Sequence, residues 1–361
     1  MFYNGDRFTR RRGAMPPTVL RLLQDQGSVQ QLDGQAHRHR KAMFISLLMD
    51  DEAEERFIDI FRGQWLSALG EWSQRNSIVL LDEANLVLTR AICLWTGVPL
   101  ERKSDVELAG ELSTMIEDAG SVSPAVLVAL MRRRRTERFV AGLVEAARQG
   151  DANDTPLSIV AGYRDADGRS LSKEEATVEI LNILRPTLAI GRYIMFAALA
   201  LHNHPHWRVA LPGGDDALYE RFAEEVRRLY PFFPVIGGIA RHAFGWRGHQ
   251  FGEGDWVMLD LYGTTHDPRS FPNPDVFDPD RNLSWRRQGF DFIPQGGGDA
   301  RSTHRCPGEQ FTVAVIREAT RLLVEEMEYD VPSQNLMMPL NRMPARPSSG
   351  MILSNVRRKP I

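Results

Sequence analysis

The segment Phe292-Ile293-Pro294-Gln295-Gly296-Gly297-Gly298 leads, a few residues on, into His304-Arg305-Cys306-Pro307-Gly308-Glu309. An apolar, periodic stretch from Phe311 to Val324 follows and reads as a helix. Cys306 therefore stands just ahead of a helix, with Pro307 where its missing N–H costs nothing. The positive end of the helix dipole and the adjacent Arg305 both favour a thiolate. The preceding glycines let the backbone approach a flat ligand closely.

A thiolate so placed is able to hold haem iron and to push electron density towards O–O cleavage. Taken alone, a single cysteine in an intracellular protein is more often a small core residue. Cys93, inside Ala91-Ile92-Cys93-Leu94-Trp95, is read that way. For Cys306 the rest of the chain decides.

Outward from that loop, most of the first 230 residues carry helical periodicity: Glu52 to Trp72, Leu81 to Thr96, Ser104 to Asp118 and Met131 to Arg148. The last of these opens with Arg132-Arg133-Arg134-Arg135, and four consecutive arginines point around most of a helix. The run is expected to be solvated surface. Gly150 to Pro156 and Asp165 to Gly168 are turn-rich loops. Ser172 and Glu175 then form a capping box for a long apolar helix from Lys173 to about Asn203. Asp216 to Tyr230 is a further helix, stopped by Pro231.

Beyond Pro231 the texture changes. Asp255 to Leu261 reads as a strand, Asp267 to Arg281 as a Pro- and Asp-rich meander, and Gln310 to Glu328 as the last helix. The expected fold is mainly α with a smaller β part, built as one unit over residues 1–361.

A formal charge of −3 gives no broad basic field, which argues against nucleic acid as a partner. Two cysteines argue against a disulfide framework and for a reducing compartment. Met1 to Arg12 is polar and basic, with no apolar run behind it as a signal peptide would have. Thr187 to Leu201, interrupted by Arg192, reads as too short to span a bilayer. A cytoplasmic protein without stable membrane insertion is expected.

In order along the chain stand Glu225 and Arg228, then Pro231, the meander and the Gly-rich lead into Cys306-Pro307-Gly308. In that combination the sequence resembles a cytochrome P-450. The resemblance implies the P-450 fold, a haem b cofactor with Cys306 as axial ligand to iron, and a structural ion pair of Glu225 with Arg228. It also implies basic contacts to the haem propionates. His37 and Lys41 share a helix face at i, i+4 and fit one such site, and Arg241 resembles the other. A metal site at His37 and His39 is disfavoured, because i, i+2 spacing splays them apart on a helix. His202, His204 and His206 are read as surface residues.

One residue in the long apolar helix is out of place. In Leu181-Asn182-Ile183-Leu184-Arg185-Pro186-Thr187, Arg185 has no acidic residue three or four positions away to offset its burial. Its carboxylate comes from a distant Asp or Glu, or from a bound substrate. Pro186 removes a helix hydrogen bond and is expected to kink the helix, at about 3 kcal/mol.

Ordinary members of the superfamily carry an acid followed by an alcohol here, to deliver protons to bound oxygen. With Arg185-Pro186 instead, the chain resembles the fatty-acid peroxygenase branch, as do Asp299, Tyr230-Pro231-Phe232-Phe233-Pro234 and Asn341-Arg342-Met343-Pro344. The resemblance implies a long-chain fatty acid and hydrogen peroxide as substrates, with no reductase. Arg185 would hold the fatty-acid carboxylate, which would then act as general acid–base beside Pro186. The carbon presented for hydroxylation would be alpha or beta.

Gln30 falls where this branch has a residue facing the distal side of the haem; a histidine there accompanies decarboxylation, and glutamine is more like hydroxylating members. Decarboxylation to a terminal alkene, a reductase-dependent monooxygenase and a haem-binding remnant without turnover remain the alternatives. The resemblance also implies a fold shortened at its N-terminus. Gln24, Asp25 and Gln26 are polar where a fatty chain should pack.

Overall fold

The computed structural model describes the chain apart from residues 4–6, 12, 25–26, 122, 282, 285, 288, 341–342 and 361. Asp25, Gln26, Asn341, Arg342 and the side chain of Gln24 therefore lie outside the described residues.

A short strand β1 (Phe8–Thr9) and a helical turn α1 (Pro17–Val19) precede the helical body. That body comprises α2 (Gly34–Leu48), α3 (Asp51–Trp72), strand β2 (Ser77–Val79), α4 (Leu80–Thr96), α5 (Asp105–Glu117), α6 (Ala125–Gln149) and α7 (Pro156–Gly162). It continues through α8 (Lys173–Ala189), α9 (Gly191–Asn203), α10 (Trp207–Ala210) and α11 (Asp216–Leu229). Next come strands β3 (Val235–Ala240), β4 (Phe244–Trp246), β5 (His249–Phe251) and β6 (Trp256–Asp260), then helix α12 (Leu261–Thr265). Helix α13 (Glu309–Arg321) follows the cysteine loop, and strands β7 (Met327–Asp330) and β8 (Ile352–Arg358) close the chain.

The helices start where side chains satisfy their free N–H groups. Asp50 caps α3, Ser104 caps α5 and Asp215 caps α11, while Ser172 and Glu175 form the full reciprocal box on α8. One continuous apolar core joins Phe57, Phe61 and Trp65 of α3 to α4, α8, α9, α13 and Leu353 of β8. The strands form small antiparallel sheets, ordered β1-β3-β6 and β2-β8-β7, with β4-β5 as a hairpin; the second sheet adds Ile78, Met327, Leu353 and Val356 to the core. That hairpin turns through Arg247 and Gly248, both at positive φ, as a tight two-residue turn demands. Phe8 and Thr9 pair antiparallel with Ala240 and Ile239, which makes β1 an edge strand of the first sheet.

Four expectations need correction. The single helix from Lys173 is two, meeting at Ile190, whose N–H bonds to Thr187 three residues back. Gly191 packs there against Asn85, where a Cβ would stand 2.4 Å from Oδ1. The break thus comes one turn after Pro186, which α8 keeps within it. Second, Lys173–Asn203 is long and apolar enough to cross a membrane after all, but 94% of its most apolar window is buried inside the fold. Third, the last helix ends earlier, because Met327–Asp330 pairs with β8 as a strand. Fourth, Arg133 is buried and pairs with Glu137 at 2.7 Å, while Arg132, Arg134 and Arg135 are exposed. Its face of α6 is the one that packs on α5 and α8.

Candidate active site

The loop that carries Cys306 is tied down by charge. Arg305 donates to Glu309 Oε2 at 2.6 Å and to the carbonyls of Arg287 and Gly298 at 2.8 and 3.1 Å. Glu309 also accepts from Arg227 of α11, which pairs with Glu224 as well; all four side chains are buried. Cys306 N donates to Gln295 O at 2.9 Å, and Gly296 bends the chain at φ +102°. A Cβ on Gly296 would stand 2.9 Å from Arg305 Cα, so only glycine fits.

Arg305 thus ties the loop to Glu309 and to two carbonyls. Burial and Glu309 push the Cys306 thiol up; the Gly308 N–H, Lys41 and Arg227 oppose them. The bias towards thiolate expected of this loop is outweighed by burial and Glu309. Cys93, by contrast, is fully buried in the core, its thiol pushed up to about 12 by burial and Asp105.

Cys306 lines a cavity of about 320 Å³, with Phe44, Leu48, Ile190 and Phe311 among its apolar walls. His37 and Lys41 of α2 line it too, as expected, and both are buried. Arg10 and His304 stand with them, unforeseen; the His37 and His304 rings lie 3.9 Å apart. Burial, with Lys41, Arg10 and Arg38, pushes the His37 ring down to about 4. Burial likewise lowers Lys41 to about 7, with Arg10 and Arg305 adding to it and Cys306 and Asp299 opposing. Lys41 Nζ donates to the carbonyls of Thr303 and Arg305, fastening α2 to the cysteine loop.

Arg241 is not part of this group. It is exposed at the end of β3 and does not line the cavity, because the strand carries it past the site towards the β4–β5 hairpin. Arg10, and not the expected Arg241, is the arginine that stands beside His37 and Lys41 in the cavity wall. Its only sequence signal was the basic run Arg10-Arg11-Arg12. His39 is exposed and faces the Arg164 carbonyl at 3.0 Å. His202 and His206 are exposed, and His204, half-buried, stacks on Phe277.

Arg185 lines the same cavity and is buried. Its Nη1 donates to Leu22 O at 3.1 Å, and its Nη2 to Leu23 O and, at 2.9 Å, to Asn182 Oδ1. Among the described residues it forms no ion pair. Burial pulls it down to about 9, Arg133 adds to that, and Glu137 opposes it without touching it. Two of its five N–H groups keep no protein acceptor among the described residues.

Asn182 and Glu179, not singled out from the sequence, continue the polar line along α8. Asn182 Nδ2 donates to Glu179 Oε2 at 2.8 Å and to Gln30 Oε1 at 3.2 Å. Glu179 Oε1 accepts from Val29 N at 3.0 Å and from Arg40 of α2 at 2.8 Å. Gln30 and Pro186 both line the cavity. The signal was legible as polar residues every third position in an apolar helix.

Glu225 and Arg228 make a two-point pair, 2.7 Å at each contact, buried on α11. Arg228 also donates to the carbonyls of Thr265, Pro274 and Val276, and Glu225 accepts from Asp278 N. The pair clamps the meander, as expected of a structural role.

The cavity fits haem. It offers a cysteine sulfur, glycine backbone that tolerates close approach and mostly apolar walls. Its charged lining is basic throughout: among the described residues lining it there is no Asp or Glu. Groups that depress one another in this way call for an occupant bringing negative charge, which propionates supply.

A family model described as Cytochrome P450 matches residues 218–353. The structure of cytochrome P450SP alpha (CYP152B1) in complex with (R)-ibuprophen is 43% identical, with a TM-score of 0.94 over 99% of this chain and 88% of that one. Cytochrome P450EX alpha (CYP152N1), wild type with myristic acid, is 38% identical, with a TM-score of 0.92 over 99% and 86%. Among curated relatives, cytochrome P450 4A7 of Oryctolagus cuniculus is 27% identical over 62% of this chain. The chain spans about half the length of that relative, 47%. By its identity with the solved structures over that coverage, the chain belongs to the cytochrome P-450 family, on the CYP152 branch, with haem as its cofactor.

Proposed function

We propose that this chain hydroxylates long-chain fatty acids at the alpha or beta carbon, using hydrogen peroxide and no reductase. The observation that carries the reading is Arg185: a buried guanidinium facing the cysteine's own cavity, with no carboxylate partner among the described residues. A buried cation left so is costly, and a substrate carboxylate relieves it. The relative bound to myristic acid supports a fatty acid in that place.

When bound, haem supplies the redox chemistry that splits the O–O bond and oxidises a C–H bond. Cys306 Sγ would hold it, and Arg10, His37 and Lys41 would meet its propionates. Arg185 binds the fatty-acid carboxylate through its spare N–H groups, and Asn182 fixes the guanidinium plane. Arg185 and Pro186 offer no side-chain acid or alcohol, and the hydroxyl of cavity-lining Thr187 donates to Ile183 O at 2.8 Å, so the substrate carboxylate oxygen itself holds and returns the peroxide proton. Anchoring the carboxylate brings its neighbouring carbons closest to the reacting centre, which favours the alpha or beta position. Gln30, bonded to Asn182, is consistent with hydroxylation over decarboxylation by its likeness to the hydroxylating members.

The test adds hydrogen peroxide and myristate, without reductase, to haem-loaded protein and to its Arg185→Ala variant. Hydroxy acid that vanishes in the variant is the expected result. Product formed only with a reductase, or equally by the variant, overturns the reading; terminal alkene in place of hydroxy acid would reassign it to decarboxylation.

A further inference from the structure

The arginine run has no part in the cavity chemistry, apart from buried Arg133, whose charge reaches Arg185. The start of α6 shows what the rest of it faces. Leu127 is 65% exposed, Met131 55% and Val128 43%, and Pro124 and Ala125 just ahead of them are exposed as well. Four exposed arginines follow on the same helix: Arg132, Arg134, Arg135 and Arg138.

These side chains fall into two adjoining stripes. Leu127, Met131, Arg134 and Arg138 succeed one another at four- and three-residue spacing, and Val128, Arg132 and Arg135 do the same beside them. Each stripe begins aliphatic and ends in guanidinium. Along the axis the aliphatic end covers about 6 Å and the arginines about the next 9 Å, at 1.5 Å per residue. Among the described residues none of the four arginines forms an ion pair. Arg132 donates to Gly110 O and Thr114 Oγ1, and Arg138 to Arg134 O. The nearby Glu137 is taken by Arg133.

We infer that this face of α6 docks on an anionic lipid surface, with the aliphatic end among the acyl chains and the arginines at the level of the headgroups. With α6 lying along the surface, the aliphatic side chains reach below the headgroups while the longer arginine side chains keep their guanidinium groups at headgroup level. The charge is complementary, and the arginines have no internal carboxylates to satisfy them. A protein partner is disfavoured, because the face offers no aromatic anchor of the kind that centres protein interfaces. This inference does not depend on the proposed reaction.

The test is co-sedimentation of the full-length, haem-loaded chain with phosphatidylglycerol-containing phosphatidylcholine vesicles and with phosphatidylcholine alone. Binding to the anionic vesicles, weakened by salt, is expected. The Arg134→Gln, Arg138→Gln double variant should bind roughly 30-fold more weakly, since each arginine near such a surface contributes comparably. Leu127→Ser with Met131→Ser should also lose binding, with the circular dichroism spectrum unchanged because both positions are exposed. Wild-type protein that stays in the supernatant overturns the inference, and so does either variant binding like wild type. Retention on immobilised poly-glutamate without vesicle binding also overturns it, and reassigns the face to an acidic protein.

Discussion

Asn182 Oδ1 accepts a hydrogen bond of 2.9 Å from Arg185 Nη2, three residues along the same buried face of α8. Asn182 is held in turn by Glu179 and Gln30, so the guanidinium has a fixed plane before any ligand arrives. Replacing Asn182 with Ala should weaken fatty-acid binding by about tenfold, the worth of one hydrogen bond to a charged group. Asn182→Asp should be harsher, because it sets a permanent carboxylate against Arg185 and competes with the substrate's own. Spectral titration of haem-loaded protein with myristate checks both; equal affinity in the Asp variant would show that Arg185 does not receive the carboxylate.

The Glu225–Arg228 pair is buried and carries the meander on its remaining hydrogen bonds. Removing one partner leaves the other as an uncompensated buried charge, at a cost of about 3–5 kcal/mol. Glu225→Gln should therefore lower the unfolding midpoint in denaturant and expose residues 267–281 to proteolysis first. A midpoint unchanged from wild type would remove the clamp assignment.

Gly296→Ala tests the loop. The added Cβ meets Arg305 Cα at 2.9 Å, and φ +102° disfavours any L side chain. A backbone conflict of about 1–3 kcal/mol is expected, next to the sulfur. Haem content after reconstitution, read from the Soret band, should fall more than the stability of the helical body does.

In the haem-free protein, pH acts through His37. Its folded value of about 4 lies below the ordinary 6.5 because burial and the neighbouring cations oppose protonation. Between those values the unfolded chain binds the extra proton, so stability is full above pH 6.5 and is lost as pH falls towards 4. The loss is about 3 kcal/mol at 1.36 kcal/mol per pH unit, and His304, lowered by burial too, acts in the same direction. His37→Gln should flatten the dependence of the thermal midpoint on pH in this window. An unaltered slope would place the proton uptake elsewhere.

The helical body was legible because apolar spacing and caps are local signals; α3, α5 and α11 begin within a residue or two of where periodicity and capping residues place them. Cys306, Glu225, Arg228, His37, Lys41 and Arg185 were legible from motif order or from a charge in an apolar helix. Partners across the fold were not. Arg133 looks like its neighbours in sequence, and only the packing of α6 on α5 and α8 buries it. Arg10 reaches the cavity because its segment follows β1, which pairs with a strand more than two hundred residues later. Arg241 was displaced for the complementary reason, since its strand runs on past the site.

Glu179, Asn182 and Arg185 form a seam at three-residue intervals, with Arg40 closing one end. A helix turns by about 100° per residue, so one residue inserted or deleted between 179 and 185 would swing Arg185 out of line with Arg40. This turn of α8 therefore cannot change length, although it can change side chains. Insertions and deletions are left to the exposed loops at 150–155 and 165–169, where the helix keeps its phase whatever the loop's length.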